Sequence, residues 1–261
     1  EKNSFVFESV EKGKIKGRYT IFGKNPDKIW EFNNNKSFIY RGKKKVNIKG
    51  DPKKVIENII EEFKFKIPKD LPPISSLLSG YFSYDIIRYI ENIPNSCRDD
   101  LKIPDARIIR PQTVIIHDNY LQKIFYIQIC FSDEKIRDYK KRFKFIESQI
   151  SNLIFISNYD AKFNYGVKKN TIKVKSNLSK NQFIKNVLKA KKYIKIGDIF
   201  QVVLSQRFEA KLTKNPIEIY KKLRINNPSP FMYFFNFQDF QIIGASPEIL
   251  VRLRNGNITI R

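Results

Sequence analysis

The sequence is poor in the residues that usually carry redox, metal and nucleophilic chemistry. Its 261 residues include two cysteines and one histidine, and no CxxC motif or Cys/His cluster occurs. Two cysteines are too few for a disulfide framework, as is typical of a reduced cytoplasmic protein. P-loops, nucleophile elbows and the paired carboxylates of glycoside hydrolases are missing as well.

Long apolar runs are also absent. No run reaches 18 residues, so we expect no membrane-spanning helix. The opening residues, EKNSFVFES, lack the charged and then apolar regions of a secretory signal, although the chain does not begin with Met. The small number of cysteines, rather than this absence, leads us to expect a cytoplasmic protein.

Acidic residues are scarce relative to basic ones, with 26 Asp and Glu against 50 Lys and Arg, a net charge of +24. Such a charge suggests a polyanionic partner, most obviously nucleic acid. The basic residues are, however, spread over the whole chain, and no nucleic-acid-binding motif accompanies them. A solvated lysine-rich surface is the favoured interpretation, with a basic nucleic-acid-binding module as the alternative.

The chain nevertheless has the composition of a folded protein, with 41% hydrophobic and 14% aromatic residues. In its first half, Asp51 and Pro52 predict the start of a helix, and Asp118-Asn119 predicts the turn of a hairpin. The elements predicted there are strands at 4–9 and 17–23, helices at 51–66 and 133–151, and the hairpin at 110–131.

A polar, weakly patterned region at 158–177 predicts a domain junction, which divides the chain into domains 1–165 and 166–261. After it, Ser179 and Gln182 form a capping-box pattern, and Gly197 is typical of a helix end. Between them Phe183, Val187, Leu188 and Ile194 predict a buried stripe. Further elements predicted are a buried strand at 197–208, a helix at 215–225, strands at 231–237 and 240–245, and a terminal hairpin that turns at Asn255-Gly256.

Five stretches of the chain form a recognisable set, and they are FVFESVEKGKIKGRYTIFG, GYFSYDIIRYIENIP, SNLSKNQFIKNVLKAKKYIKIGDIFQVVLSQRF, NNPSPFMYFF and IIGASPEILVRL. Together they resemble the large subunits of anthranilate synthases, in the chorismate-utilising enzyme family. Their order and spacing make the set far more specific than any single motif.

The resemblance implies an α+β fold rich in antiparallel sheet, a two-subdomain α/β sandwich. It implies an enzyme of tryptophan biosynthesis that makes anthranilate from chorismate and ammonia, with Mg²⁺ and a glutamine amidotransferase partner. Family members are nearly twice this length, and their metal ligands and general acid follow the part matched here. We therefore expect the chain alone to be inactive. The nearest alternative within the family is aminodeoxychorismate synthase component I, of the folate pathway.

Gln201 lies where related isochorismate synthases have a lysine that activates water. A glutamine amide cannot take a proton at neutral pH, so the resemblance implies a residue of the substrate pocket that is not a base. Alternatively, Gln201 satisfies backbone groups at the start of a strand. Arg207 either pairs with a carboxylate near the site or forms a surface ion pair.

A second set of residues matches the family's binding site for tryptophan, the feedback inhibitor. The resemblance implies that a strand ending in Glu8-Ser9 meets a turn that includes Pro230, Phe231 and Met232. Glu8 and Ser9 would bind the ammonium group, with Arg18 taking part, and the Met232 thioether would contact the indole ring. Alternatively, Phe231 and Met232 are ordinary core residues.

Overall fold

Most of the architecture is one antiparallel sheet. The computed structural model describes residues 1–10, 17–63, 66–132, 135–154 and 172–260. The strands found there are β1 (Ser4–Glu8), β2 (Tyr19–Asn33), β3 (Lys36–Arg41), β4 (Lys44–Ile48), β5 (Ser79–Phe82), β6 (Ala106–Asp118), β7 (Lys123–Gln128), β8 (Val174–Ser176), β9 (Phe208–Ala210), β10 (Phe231–Asn236), β11 (Gln241–Ser246), β12 (Val251–Arg254) and β13 (Asn257–Ile260). The helices are α1 (Pro52–Glu62), α2 (Ile136–Ile154), α3 (Lys180–Ile196) and α4 (Pro216–Asn226), with a 3₁₀ helix at Tyr84–Tyr89.

The chain forms two compact units, one of Glu1–Ile156 with Pro216–Arg261 and the other of Ser157–Asn215. In the first unit the sheet order is β11-β10-β1-β2-β3-β4, and β6 joins β2, β5 and β7. This sheet-rich α+β architecture confirms the predicted fold class. The predicted domain boundary at 165/166 lies outside the described residues, so the domain limits stay a prediction. The sheet does, however, join β10 and β11 to β1.

The long strand β2 organises the sheet because it pairs with β1 at its beginning, with β3 at its end and with β6 along most of its length. Trp30 and Phe32 of β2 pack with Ile108 of β6 against Val55 and Ile59 of α1. The predicted start of α1 is confirmed, since the Asp51 side chain accepts a hydrogen bond from the Lys53 amide.

Helix α4 covers the other edge of the sheet. Its Tyr220 packs against Met232 and Phe234 of β10 and against Val6 of β1. Side chains alternate along a strand, so Phe5 and Phe7 of β1 lie on the face away from α4. There they join a second core that includes Phe235. One face of β1 thus packs against α4, and the other face packs into the core that includes Phe235.

The second unit departs from the sequence-based expectation in two places. The predicted buried strand at 197–208 is wrong: the structure has only the short β9, and Phe200 is 99% exposed. No described strand pairs with 199–206, and only at the end of the run does Arg207 exchange hydrogen bonds with Asn177. The predicted buried stripe of α3 is also wrong, because none of its side chains is buried. The ends of α3 are as expected, with Ser179 accepting from the Gln182 amide and Gly197 left-handed at φ 83°.

Among the described residues, no helix is both long enough and apolar enough to cross a membrane.

Candidate functional site: an aromatic, arginine-bearing cavity

A cavity of about 1000 Å³ opens in the first unit, where β1 meets β10 and the start of β2. It is lined by aromatic rings, three arginines and few other polar groups. The lining residues are Phe7, Glu8, Ser9, Gly17, Arg18, Tyr19, Gly80, Tyr81, Phe82, Pro230, Phe231, Met232, Tyr233, Phe235, Ile242, Arg252 and Arg254. A predominantly apolar cavity with a few convergent polar groups is typical of a small-molecule site.

All six residues predicted for the inhibitor site line this cavity, although they come from both ends of the chain. Strand pairing brings them together, since Glu8 lies opposite Met232 of β10 and opposite Thr20 of β2. Beyond β1, the Val10 amide donates to the Ser229 carbonyl oxygen at 2.9 Å, which ties the proline-rich turn to the strand. The turn is tied again by the Ser229 hydroxyl, which donates to the Ser246 carbonyl oxygen.

Ser9 reaches the cavity wall because a glycine lies beside it. A Cβ atom on Gly17 would lie only 1.9 Å from the Ser9 Cβ, far inside van der Waals contact. The approach of the two chain segments therefore requires glycine at position 17. This local packing places the Ser9 hydroxyl next to Gly17, at the edge of the cavity.

Arg18 is held in position by a buried acid. Its Nε and Nη2 atoms donate to Oδ2 of Asp118 at 3.0 and 2.9 Å, and the Asp118 side chain is 1% exposed. These hydrogen bonds raise the pKa of Arg18 and lower the pKa of Asp118. The other carboxylate oxygen of Asp118 accepts the amides of Tyr120 and Leu121 at 3.0 Å. Asp118 thus links the predicted hairpin turn to the cavity.

Glu8 borders the cavity, but its carboxylate binds α4. The Tyr220 hydroxyl donates to Oε1 at 2.5 Å and Arg224 Nε donates to Oε2 at 2.8 Å. Burial, and then the hydrogen bond to Glu8, raise the pKa of Tyr220, which keeps this hydroxyl a donor. Both carboxylate oxygens of Glu8 therefore have partners. Its predicted role as an ammonium ligand stays a prediction that this geometry does not favour.

Met232 also turns towards α4. It is 1% exposed and packs with Tyr220 and Phe234, which agrees with the alternative interpretation of Met232 as a core residue. Phe231, by contrast, is 41% exposed at the cavity. Of the predicted set, Ser9, Arg18, Pro230 and Phe231 therefore remain the better candidates for direct ligand contact.

Two arginines at the cavity were not anticipated from the sequence. Arg252 and Arg254 lie two residues apart on β12, and side chains at that spacing share one face of a strand. The pattern VRLR, directly before the Asn255-Gly256 turn, was the available signal. The turn itself is confirmed, with φ angles of 50° and 78° at its two central residues.

Gln201 lies in the second unit, exposed, on the unpaired segment between α3 and β9. Its role in a substrate pocket stays a prediction.

Arg207 forms an ion pair with Glu209 at 2.8 Å, which agrees with its interpretation as a surface ion pair. His117 lies on β6 opposite Thr20. Across the described ranges, no three His, Cys, Asp or Glu side chains cluster in a way that could hold a metal ion.

Comparison with known proteins places the chain in a family. The profile of the chorismate binding enzyme family matches residues 3–261, and the chain belongs to this family. The chain is 41% identical over 257 residues to anthranilate synthase component 1 of Acetivibrio thermocellus, covering 97% of this chain and 52% of that protein. It is 36% identical over 268 residues to the protein of the same name from Cereibacter sphaeroides, covering 99% and 53%.

A solved structure of an anthranilate synthase component I also resembles this chain. The crystal structure of anthranilate synthase component I from Streptococcus pneumoniae TIGR4 matches with a TM-score of 0.75 and 28% identity, over 96% of this chain and 55% of that one. The chain thus spans about half the length of the curated relatives it matches. The family resemblance read from the five sequence stretches is confirmed.

Proposed function

We propose that this chain belongs to component I of an anthranilate synthase. The observation that carries the proposal is the match of nearly the whole chain to two relatives of that name at 41% and 36% identity. The reaction would add ammonia at C2 of chorismate with loss of the C4 hydroxyl as water. The enolpyruvyl group would then leave as pyruvate, giving anthranilate for tryptophan synthesis.

The proposal includes a partner and a cofactor. A glutamine amidotransferase subunit would supply the ammonia, and the enzyme would work in the cytoplasm. Gln201 would help to position chorismate without acting as a base. Mg²⁺ would be the metal of the complete enzyme, but the described residues offer no cluster that fits it, so we assign none of them to it and derive no step through it.

The cavity in the first unit is proposed as the feedback site for tryptophan. Its aromatic walls suit an indole ring, and two prolines, Pro228 and Pro230, pre-organise the turn that borders it. The Ser9 hydroxyl is a hydrogen-bonding group at the edge, and Arg18 is fixed there by Asp118. Pre-organised groups lower the ordering cost of binding, which supports a small-molecule regulatory site.

The activity is tested with the full-length protein, chorismate, Mg²⁺ and ammonium ions. Anthranilate, followed by its fluorescence and identified by mass, is the expected product, with glutamine replacing ammonium once the amidotransferase is added. Accumulation of 4-amino-4-deoxychorismate would instead assign the protein to the folate-pathway alternative. Retardation of duplex DNA at about 150 mM salt with a steep salt dependence, and no turnover, would favour the nucleic-acid-binding module.

A further inference from the structure

The charges around the cavity are unbalanced. Arg18, Arg252 and Arg254 line it, whereas Glu8 is the only acid among the described lining residues. The carboxylate of Glu8 is already bound by α4, through Tyr220 and Arg224. From the described part of the wall, a ligand would therefore meet an excess of positive charge and no available carboxylate.

The three arginines differ in whether an acidic side chain pairs with them. The charge of Arg18 is matched by Asp118, with two hydrogen bonds to one oxygen. Arg252 and Arg254 form no ion pair with any residue in the described part of the chain, and both are exposed. Among the described lining residues, their guanidinium groups are thus the cations without an ion-pair partner. A guanidinium presents a planar fork of donors that matches a carboxylate with two parallel hydrogen bonds.

The hairpin that carries them has a fixed register. Arg252 lies opposite Thr259 and Arg254 opposite Asn257, and the two-residue turn at Asn255-Gly256 sets this pairing. Val251 and Leu253, on the other face of β12, do not line the cavity. The alternation along β12 therefore directs both guanidinium groups, rather than one of them, to the same side.

The aromatic residues of the cavity wall indicate which kind of uncharged group the ligand carries. Tyr19, Tyr81, Phe231 and Tyr233 surround the space with aromatic rings, which favour a flat apolar group by offset or edge contacts. A pair of cations beside aromatic walls fits an aromatic ring system that carries an anionic group, and in the ligand of the proposed function that group is a carboxylate on a short chain.

We infer that Arg252 and Arg254 bind the carboxylate of an aromatic carboxylate ligand in this cavity, and that this carboxylate, rather than an ammonium group, determines the affinity. The inference rests on the proposed function, because tryptophan is then the ligand expected. It goes further by assigning the carboxylate to β12, and by excluding the Glu8 carboxylate as the main partner of the ammonium group.

The test uses three ligands that share the indole ring. Tryptophan has both charged groups, indole-3-propionate has only the carboxylate, and tryptamine has only the ammonium group. Binding of each to the purified chain is measured by titration calorimetry. We expect tryptophan and indole-3-propionate to bind within about tenfold of each other, and tryptamine to bind more than about tenfold more weakly, as for loss of a hydrogen bond between charged groups.

The variants are Arg252→Gln, Arg254→Gln and the double substitution. The matched control is Arg41→Gln, an exposed arginine on β3 that does not line the cavity. We expect the double variant to weaken tryptophan and indole-3-propionate by about tenfold or more, to leave tryptamine unchanged and to keep the wild-type circular dichroism spectrum. The control should bind all three ligands like the wild type.

The outcomes separate the inference from the proposed feedback site. Tryptophan binding equally to wild type and double variant would overturn the inference and leave the proposed site standing. Tryptamine binding as tightly as tryptophan to the wild type would also overturn the inference. Indole-3-propionate binding without tryptophan, and lost in the double variant, would support the inference and refute tryptophan as the ligand. If the wild type binds none of the three, both fail.

Discussion

Substitution of Arg107 by methionine should destabilise the first unit strongly, because Arg107 is the centre of a buried ionic network. Its side chain is 6% exposed, and Nη2 donates to Oε2 of Glu31 at 2.5 Å. Nη1 donates to Oδ1 of Asp239 at 2.5 Å, and the guanidinium lies over the rings of Phe237 and Phe240. Burial lowers the pKa of Arg107, but the hydrogen bonds and charges of Asp239 and Glu31 together outweigh it and raise the pKa, so the guanidinium stays charged.

The magnitude follows from which partner stays buried. Breaking a buried pair by removing one partner costs about 3–5 kcal/mol, because the other charge is left uncompensated. Asp239, 56% exposed, can return to water, whereas the Glu31 side chain is 4% exposed. Glu31 keeps two partners, since Lys45 Nζ lies 2.8 Å from Oε1 and the Tyr40 hydroxyl donates to the carboxylate at 3.3 Å. We therefore expect the lower end of the range, about 3 kcal/mol off the free energy of unfolding.

The assay is urea unfolding, followed by circular dichroism and by fluorescence of Trp30. This residue is the single tryptophan of the chain, is 6% exposed and precedes Glu31 on β2. Adding Glu31→Gln to Arg107→Met should recover about 1–2 kcal/mol, because no uncompensated charge then remains buried. Arg41→Met, at an exposed position, is the control and should change the stability by less than about 0.5 kcal/mol. A loss below about 1 kcal/mol for Arg107→Met, or a double variant no more stable than the single, would refute the reasoning.

Three further predictions concern the cavity. Ser9→Ala should relieve tryptophan inhibition of the full-length enzyme by roughly threefold to tenfold with little change in turnover, since it removes one hydrogen-bonding group; an unchanged inhibition curve would count against the proposed site. Met232→Thr should cost about 2–4 kcal/mol in urea unfolding because Met232 is buried against α4, and it should relieve inhibition indirectly by disturbing the cavity wall; wild-type stability would contradict this packing. Asp118→Asn should destabilise the chain near pH 6, and the difference from wild type should shrink as the pH falls below about 4. The reason is that the lowered pKa of Asp118 contributes stability above the pKa of the unfolded state, which is lost as the carboxylate is protonated; urea midpoints with a constant difference from pH 6 to pH 3 would contradict it.

Sequence patterns predicted helix caps and turns correctly, because the interactions that form a cap or a turn are between residues close together in the chain. The Asp51 cap, the Ser179 cap, the left-handed Gly197 and the Asn255-Gly256 turn all occur where they were expected. Each depends on backbone angles or hydrogen bonds among residues two to four positions apart. The sequence window that contains such a feature therefore contains its cause.

Signals of burial were less reliable. The apolar run at 197–208 looked like a core strand, yet Phe200 and Val203 are exposed at 99% and 81%. Whether an apolar strand is buried depends on a neighbour that pairs with it, and that neighbour is not encoded in the run itself. The prediction of a buried stripe on α3 was wrong for the same reason, since it also depends on a neighbour that the helix sequence does not contain.

The sequence by itself determined the family, the antiparallel α+β class and the residues of β1 and the Asn227–Met232 turn that gather at one cavity. Only the tertiary structure decided that Glu8 binds α4 instead of facing a ligand, that Arg18 is held by Asp118, and that two arginines of β12 complete the wall. These partners lie 100 residues or more from one another along the chain. Charge pairing and side-chain direction at such separations are set by strand register, which exists only once the sheet has formed.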